Sequence, residues 1–333
     1  RNPDHDPIKP RHRMKKQILD FEKPVADLEQ KLEDLISHLP GQNIDLDPEV
    51  RAMRAKIEIT RADVYTRLTA WQRVQIARHT SRPFTLDYAK EAFDDFFELK
   101  GDRLFGDDAS MPGGFATIDG IRCILIGQQK GRDVKENLLR NFGSPHPEGY
   151  RKALRLMRLG EKFSLPVISL IDTPGAYPGV GAEERHIAEA IAVNIREMMV
   201  LRTPTVAVVI GEGGSGGALG IGVSDKVLML ENAYYSVISP EGCAAILWKH
   251  RKHAPEAAEA LKLNATELLE LGIIDGVVPE PPGGAHRDPS AAALALKEAI
   301  SSALKELMKM PTDKLLARRY EKFRKIGRFE EGI

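Results

Sequence analysis

The chain reads as an α/β protein on three observations. From Phe84 onward, apolar strand-like runs alternate with stretches of helical periodicity. Two glycine-rich turns, inside Leu165–Gly181 and Thr203–Gly222, each follow a run that reads as a buried strand. Residues 1–80 carry helical patterning only, which sets an N-terminal helical arm apart from the α/β core.

Residues 1–18 are Pro-rich and charged and are expected to be poorly ordered. Val25, Leu28, Leu32, Leu35 and Leu39 recur at 3-4-3-4 spacing, so Pro24–Leu39 is predicted as a helix with one apolar seam, stopped by Pro40-Gly41. Asp47-Pro48 opens a second helix whose stripe runs through Val50, Met53, Ile57, Val64, Leu68 and Trp71. Two such helices bury little surface alone, so their seams call for a further partner surface. Strands are predicted at Arg122–Ile126, Val167–Ile171, Thr205–Ile210 and Lys226–Leu230. Helices are predicted at Pro147–Phe163, Glu183–Leu201, Pro240–Lys252, Ala291–Met310 and Thr312–Lys325. A largely parallel sheet at 81–290 and C-terminal helices at 291–333 follow from this order.

Charge is balanced, with 48 Lys+Arg against 48 Asp+Glu, so no net field draws the 333 residues to nucleic acid or an anionic membrane. Cys123 and Cys243 are too few for a four-cysteine zinc ribbon and give no disulfide framework, which points to a reducing compartment. No apolar run reaches the roughly 18 residues that span a bilayer, and no signal peptide is visible. A soluble intracellular protein is the expectation.

The glycine turns place backbone N–H groups at strand ends with no side chain to block an anion. Gly211-x-Gly213-x-x-Gly216, with Glu231 about 20 residues on, imitates a dinucleotide fingerprint, but too few residues precede the next strand for a crossing helix. Asp172-Thr173-Pro174-Gly175 suggests a GTPase, yet no G-x-x-x-x-G-K-[ST] loop accompanies it. Ser215 has G-G-S-G-G flanks, but the segment after it is glycine-broken and no Ser/His/Asp set is evident. Against the alternative that these glycines serve only tight helix–strand packing, an oxyanion site for acyl or ureido chemistry is the favoured reading, with a short helix after Gly216-Gly217 aiming its N-terminus at the ligand.

Longer motifs carry a family resemblance. DFEKPVADLE (20–29), RPFTLDYAKEAFDDFFELKGDRLFGDD (82–108), GQQKGRDVKENLLRNFG (127–143) and PEGYRKALRLMRLGEKF (147–163) belong to it. So do IDTPGAYPGVGAEERHIAEAIA (171–192), Val209–Lys249 and PEPPGGAHRDP (279–289). From Ile18 to Arg319 the chain resembles the carboxyltransferase alpha subunits of multi-subunit, bacterial-type acetyl-CoA carboxylases. The resemblance implies a crotonase-like (ClpP/crotonase) superhelix of ββα units and an alpha2beta2 heterotetramer with active sites between alpha and beta. It implies transfer of a carboxyl group from carboxybiotin, on a biotin carboxyl carrier protein, to acetyl-CoA. The product is malonyl-CoA for fatty acid biosynthesis, and biotin carboxylase completes the ATP-binding holo-complex. Zinc is expected only on the beta subunit, and no cofactor or metal on this chain. A cytoplasmic or plastid stromal location fits.

By the same resemblance, Gly216 and Gly217 form the backbone hole for the biotin ureido oxygen. Gly213 and Gly214 shape that turn, and Gly175, Ala176, Tyr177 and Gly179 wall the carboxybiotin pocket. No side-chain acid or base is then required. Glu183 and Glu184 remain the alternative, as bases of a self-contained hydratase or isomerase, and a non-catalytic scaffold is the contrasting class. Lys130, Arg132 and Lys135 are read as a solvated charged face that could also meet CoA phosphates. His146, His186 and His286 are read as isolated, and none is assigned to metal.

Overall fold

The computed structural model describes residues 17–38 and 48–327. The expectations for residues 1–16, for the Pro40-Gly41 stop and for the Asp47 cap lie outside them.

The arm consists of α1 (Lys23–His38) packed on α2 (Pro48–Thr66). Val25, Val50 and Ile57 are buried along the seam, with Leu28, Leu32, Met53 and Val64 half-buried. The stripe does not continue unbroken to Trp71. Helix α2 ends at Thr66, and Thr69 starts α3 (Ala70–Ala77) with a capping box. The Thr69 hydroxyl accepts the Gln72 N–H at 3.2 Å, and the Gln72 side chain accepts the Thr69 N–H at 2.9 Å. That reciprocal cap outweighs continuation of the apolar period.

Next come α4 (Thr85–Glu91), β1 (Asp94–Glu98), β2 (Gly113–Ile118), β3 (Ile121–Gly127), α5 (Val134–Leu139) and α6 (Pro147–Lys162). The alternation continues through β4 (Val167–Thr173), α7 (Val180–Glu184), α8 (Ile187–Val200), β5 (Thr205–Gly214), α9 (Ser215–Leu219) and β6 (Lys226–Leu230). It closes with β7 (Tyr234–Ser236), α10 (Pro240–Leu247), α11 (Ala254–Ala260), α12 (Ala265–Glu270), β8 (Gly276–Val278), α13 (Pro289–Leu307) and α14 (Thr312–Arg324).

One sheet runs β1-β2-β3-β4-β5-β6-β8, with β7 beside the end of β5. Strands β1, β2 and β3 pair antiparallel, and every pairing from β3 onward is parallel. The antiparallel edge went unread because β1 is the polar segment DDFFE and β2 opens on two glycines. Strands β7 and β8 are too short to show a period.

Three predicted elements change length for identifiable reasons. His186, at φ +64°, splits the Glu183–Leu201 helix into α7 and α8. Helix α10 stops at Leu247, and Lys249 follows at φ +61°. Strand β5 extends past Ile210 to Gly214 because β7 takes up its far end, Glu212 to Gly214, beyond the reach of β6. The main core is a continuous apolar cluster from β3–β6 through Leu296, Ile300, Leu304 and Leu307 of α13 to Leu315 of α14, and Cys243, Ala244 and Ala257 form a second, small one.

Candidate functional site

Parallel neighbours β4 and β5 end side by side, and each releases one glycine turn at that end. The two turns touch through their backbones. A Cβ on Gly217 would lie 2.5 Å from the Ala176 nitrogen and 2.6 Å from the Gly175 carbonyl carbon. One on Gly214 would overlap the Pro174 carbonyl. Contacts this close exclude any side chain, so both glycines are there for approach. Gly175 sits at φ +150°, and a Cβ on Gly179 would strike the Tyr177 ring. The turns carrying Gly175, Ala176 and Tyr177 and Gly213, Gly214, Gly216 and Gly217 thus lie against each other, with Gly179 behind Tyr177.

Ser215 turns the chain out of β5 at φ +50° and opens α9. The helix thus begins before Gly216-Gly217 rather than after them, a correction that puts both amides in its first turn. Such N–H groups have no intrahelical partner. No acceptor among the described residues takes either one. Gly216 differs from its neighbour in having open space where a Cβ would stand, the nearest atom being 3.9 Å away on Ile191. The strand–turn–helix context of Ser215 is also present, contrary to the sequence reading, and its side chain is exposed.

Beneath the turns lies a buried ionic network that the sequence reading missed. Lys130 Nζ reaches Asp172 Oδ1 at 2.6 Å and Glu212 Oε2 at 2.7 Å. Lys130 is therefore not on a solvated face. Arg78 Nε and the Tyr234 hydroxyl complete Glu212, both at 2.7 Å from Oε1. Burial opposes the charge on Lys130, but the two carboxylates outweigh it and raise its pKa. Burial likewise opposes ionisation of Glu212, while Lys130 and Arg78 bring its pKa down to about 2. Arg132 is also engaged inward, donating to the carbonyls of Thr80 and Arg82 and pairing with Asp87. Lys135 alone of the three stays exposed.

Gln128 and Tyr150, likewise unforeseen, both donate to the Gly217 carbonyl. Gln128 lies two residues beyond the predicted strand Arg122–Ile126, and neither it nor Tyr150 carried a local signal in the sequence. Glu183 and Glu184 are exposed on the five-residue α7, with Glu183 in its first turn. His146 packs on Tyr177, their ring centroids 4.2 Å apart.

His286 is not isolated. It stacks on His79 with centroids 4.2 Å apart and shares Glu22 of the arm through Nε2 at 3.1 Å. Glu22, His79 and His286 are the one metal-sized cluster among the described residues. Their chemistry is poor for an ion. Imidazole lone pairs lie in the ring planes, so stacked rings cannot converge on one metal at about 2.0 Å. His79 also has both nitrogens engaged, with the Gln17 carbonyl and the Ser81 N–H.

The class comes first: the chain has a crotonase-like fold, with its two glycine turns meeting at adjacent parallel strand ends. Solved structures agree on that architecture. Transcarboxylase 12S superposes with a TM-score of 0.53 at 20% identity, over 67% of this chain and 41% of that one. A Pseudomonas malonate decarboxylase hetero-tetramer in complex with coenzyme A gives 0.53 at 17% identity, over 65% and 86%. The family profile for acetyl co-enzyme A carboxylase carboxyltransferase-like proteins matches residues 18–327, and the chain belongs to that family. Curated relatives named acetyl-coenzyme A carboxylase carboxyl transferase subunit alpha include those of Geobacter metallireducens and Thermus thermophilus. The first is 56% identical over 94% of this chain and 98% of the relative. The second is 53% identical over 94% and 99%. No helix among the described residues is long and apolar enough to cross a membrane.

Proposed function

We propose that this chain is the alpha subunit of an acetyl-CoA carboxylase carboxyltransferase, and that Gly216 and Gly217 stabilise the ureido oxygen of carboxybiotin. The observation that carries the reading is a pair of first-turn amides with no internal acceptor, at the meeting point of two glycine turns. Cleavage of the N–CO₂ bond of carboxybiotin leaves negative charge on the ureido nitrogen and oxygen. The two amides and the helix end favour that charge. The ureido nitrogen then takes a methyl proton from acetyl-CoA, and the resulting enolate attacks the released CO₂ to give malonyl-CoA. Holding both substrates together lowers much of the remaining barrier.

A beta subunit supplies the acetyl-CoA half of the site, in an alpha2beta2 assembly served by the biotin carboxyl carrier protein. Walls of the biotin pocket come from Gly175, Ala176, Tyr177 and Gly179, and Gly213 and Gly214 shape the turn. The test is reconstitution. The chain alone should form no malonyl-CoA, and activity should appear when the beta subunit and a carboxybiotin donor are added. Unaided hydration of an enoyl-CoA would instead favour a hydratase working through Glu183 or Glu184.

A further inference from the structure

We propose that Gln128 and Tyr150 are positioning residues that fix the aim of the Gly216 and Gly217 amides by clamping the Gly217 carbonyl from behind; this rests on the function proposed above.

The need for a clamp comes from the sequence of α9. Ser-Gly-Gly is a poor helix opening, since each glycine costs about 1 kcal/mol against alanine and leaves the backbone free to turn. The helix has only five residues, and its hydrogen bonds end early. Regular continuation would bring the Ile221 N–H to the Gly217 carbonyl, but it goes to Ala218 instead, at 3.3 Å. The Gly217 carbonyl is therefore left to side chains. A buried carbonyl without a partner is costly, and here two donors meet it. Gln128 Nε2 lies at 2.8 Å and the Tyr150 hydroxyl at 3.0 Å. Both residues are fully buried.

Each donor is itself anchored in a rigid element. Gln128 continues from β3, where its N–H donates to the Leu170 carbonyl and its own carbonyl accepts the Thr85 hydroxyl. Its Oε1 accepts the Asp172 N–H at 3.0 Å. One amide side chain thus spans both glycine turns, holding the start of the first and the helix of the second. Tyr150 lies in α6, and its ring fills the space that a Cβ on Gly220 would enter. Asn194 of α8 donates to both the Tyr150 and Gly220 carbonyls. Neither Gln128 nor Tyr150 is placed to touch substrate. They act on the helix whose opposite end presents the two amides.

Two variants test this in the reconstituted alpha–beta enzyme. Gln128→Glu keeps the acceptor for Asp172 and the side-chain volume and, when ionised, offers no donor to Gly217. Tyr150→Phe removes only the hydroxyl. The assay is carboxyl transfer from malonyl-CoA to biocytin, with thermal melting and assembly measured alongside. We expect kcat to fall about 10-fold or more in each, with the KM for malonyl-CoA unchanged, as misaimed oxyanion donors require. Near-normal kcat in Tyr150→Phe, with only the melting temperature lowered, overturns the clamp. Tyr150→Phe decides the matter if Gln128→Glu fails to assemble. Gly216→Val separates the two readings. If it is inactive while both clamp variants turn over normally, the glycine reading stands and the clamp falls. If it is fully active, the glycine reading fails and the clamp goes with it.

Discussion

Lys130 Nζ sits 2.6 Å from Asp172 Oδ1, and the same ammonium reaches Glu212. Asp172 opens the first glycine turn and Glu212 the second, so one half-buried cation fastens the two loops at their roots. Lys130→Met should leave two buried carboxylates facing each other without it. Removing one partner of a buried ion pair costs about 3–5 kcal/mol. With the cation gone, proton uptake relieves the repulsion, so the variant should regain stability as pH falls from neutral. Melting temperature against pH checks this; a variant that melts like the parent at neutral pH refutes it.

Gly216 and Gly217 should respond differently to the same change. Gly216→Val keeps its backbone N–H and places its side chain in open space, so it should fold and assemble, yet lower turnover by standing where the ureido oxygen must approach. Gly217→Ala drives a Cβ into Gly175 and Ala176 and should cost stability as well. Paired measurements of kcat and melting temperature distinguish the two. Equal stability losses at both positions would contradict the geometry.

Arg319 fastens the last helix. Its guanidinium grips Asp225 at 2.8 and 2.7 Å and donates to the carbonyls of Met198, Leu201 and Thr203, all in the interior. Lysine cannot reproduce that planar fork. Arg319→Lys should lose at least about 3 kcal/mol, read by denaturant unfolding. A change below about 0.5 kcal/mol, the scale of a surface substitution, would show that the fork is dispensable.

The His79–His286 stack, with Glu22, ties the arm to the core. Burial first, and then the neighbouring His286, hold His79 below its ordinary 6.5. Glu22, with a pKa brought down to about 2 by His286 and Tyr65 against the cost of its burial, stays ionised throughout. Glu29, Arg61 and Arg287 complete the surrounding charges. A histidine with a lowered folded pKa favours the folded state above 6.5 and loses that contribution as pH falls further. Amide protection across 17–38, corrected for the intrinsic pH dependence of exchange, should therefore fall as pH is lowered from about 6.5 to about 5.5, and His79→Phe should flatten the change. Uniform protection across that range in the parent would disprove it.

Much of this architecture was legible in local pattern. Strands β4, β5 and β6, helices α6 and α13, and both glycine turns follow from apolar period, caps and turn residues within a few positions. Thr69 to Gln72 was legible too, as a capping box, but the longer apolar stripe hid it. His186 gave no warning, because a single left-handed residue does not alter helical period.

The sequence by itself determined the α/β class, the family and the two backbone turns on which the proposed chemistry rests. Only the tertiary structure decided that Lys130 binds both turns, that Gln128 and Tyr150 meet one carbonyl, and that His79 finds His286. Those partners lie 42 to 207 residues apart, and their pairing depends on strand order rather than on any local period. Glycine marks where a backbone can approach, but which backbone arrives is settled by packing β4 against β5.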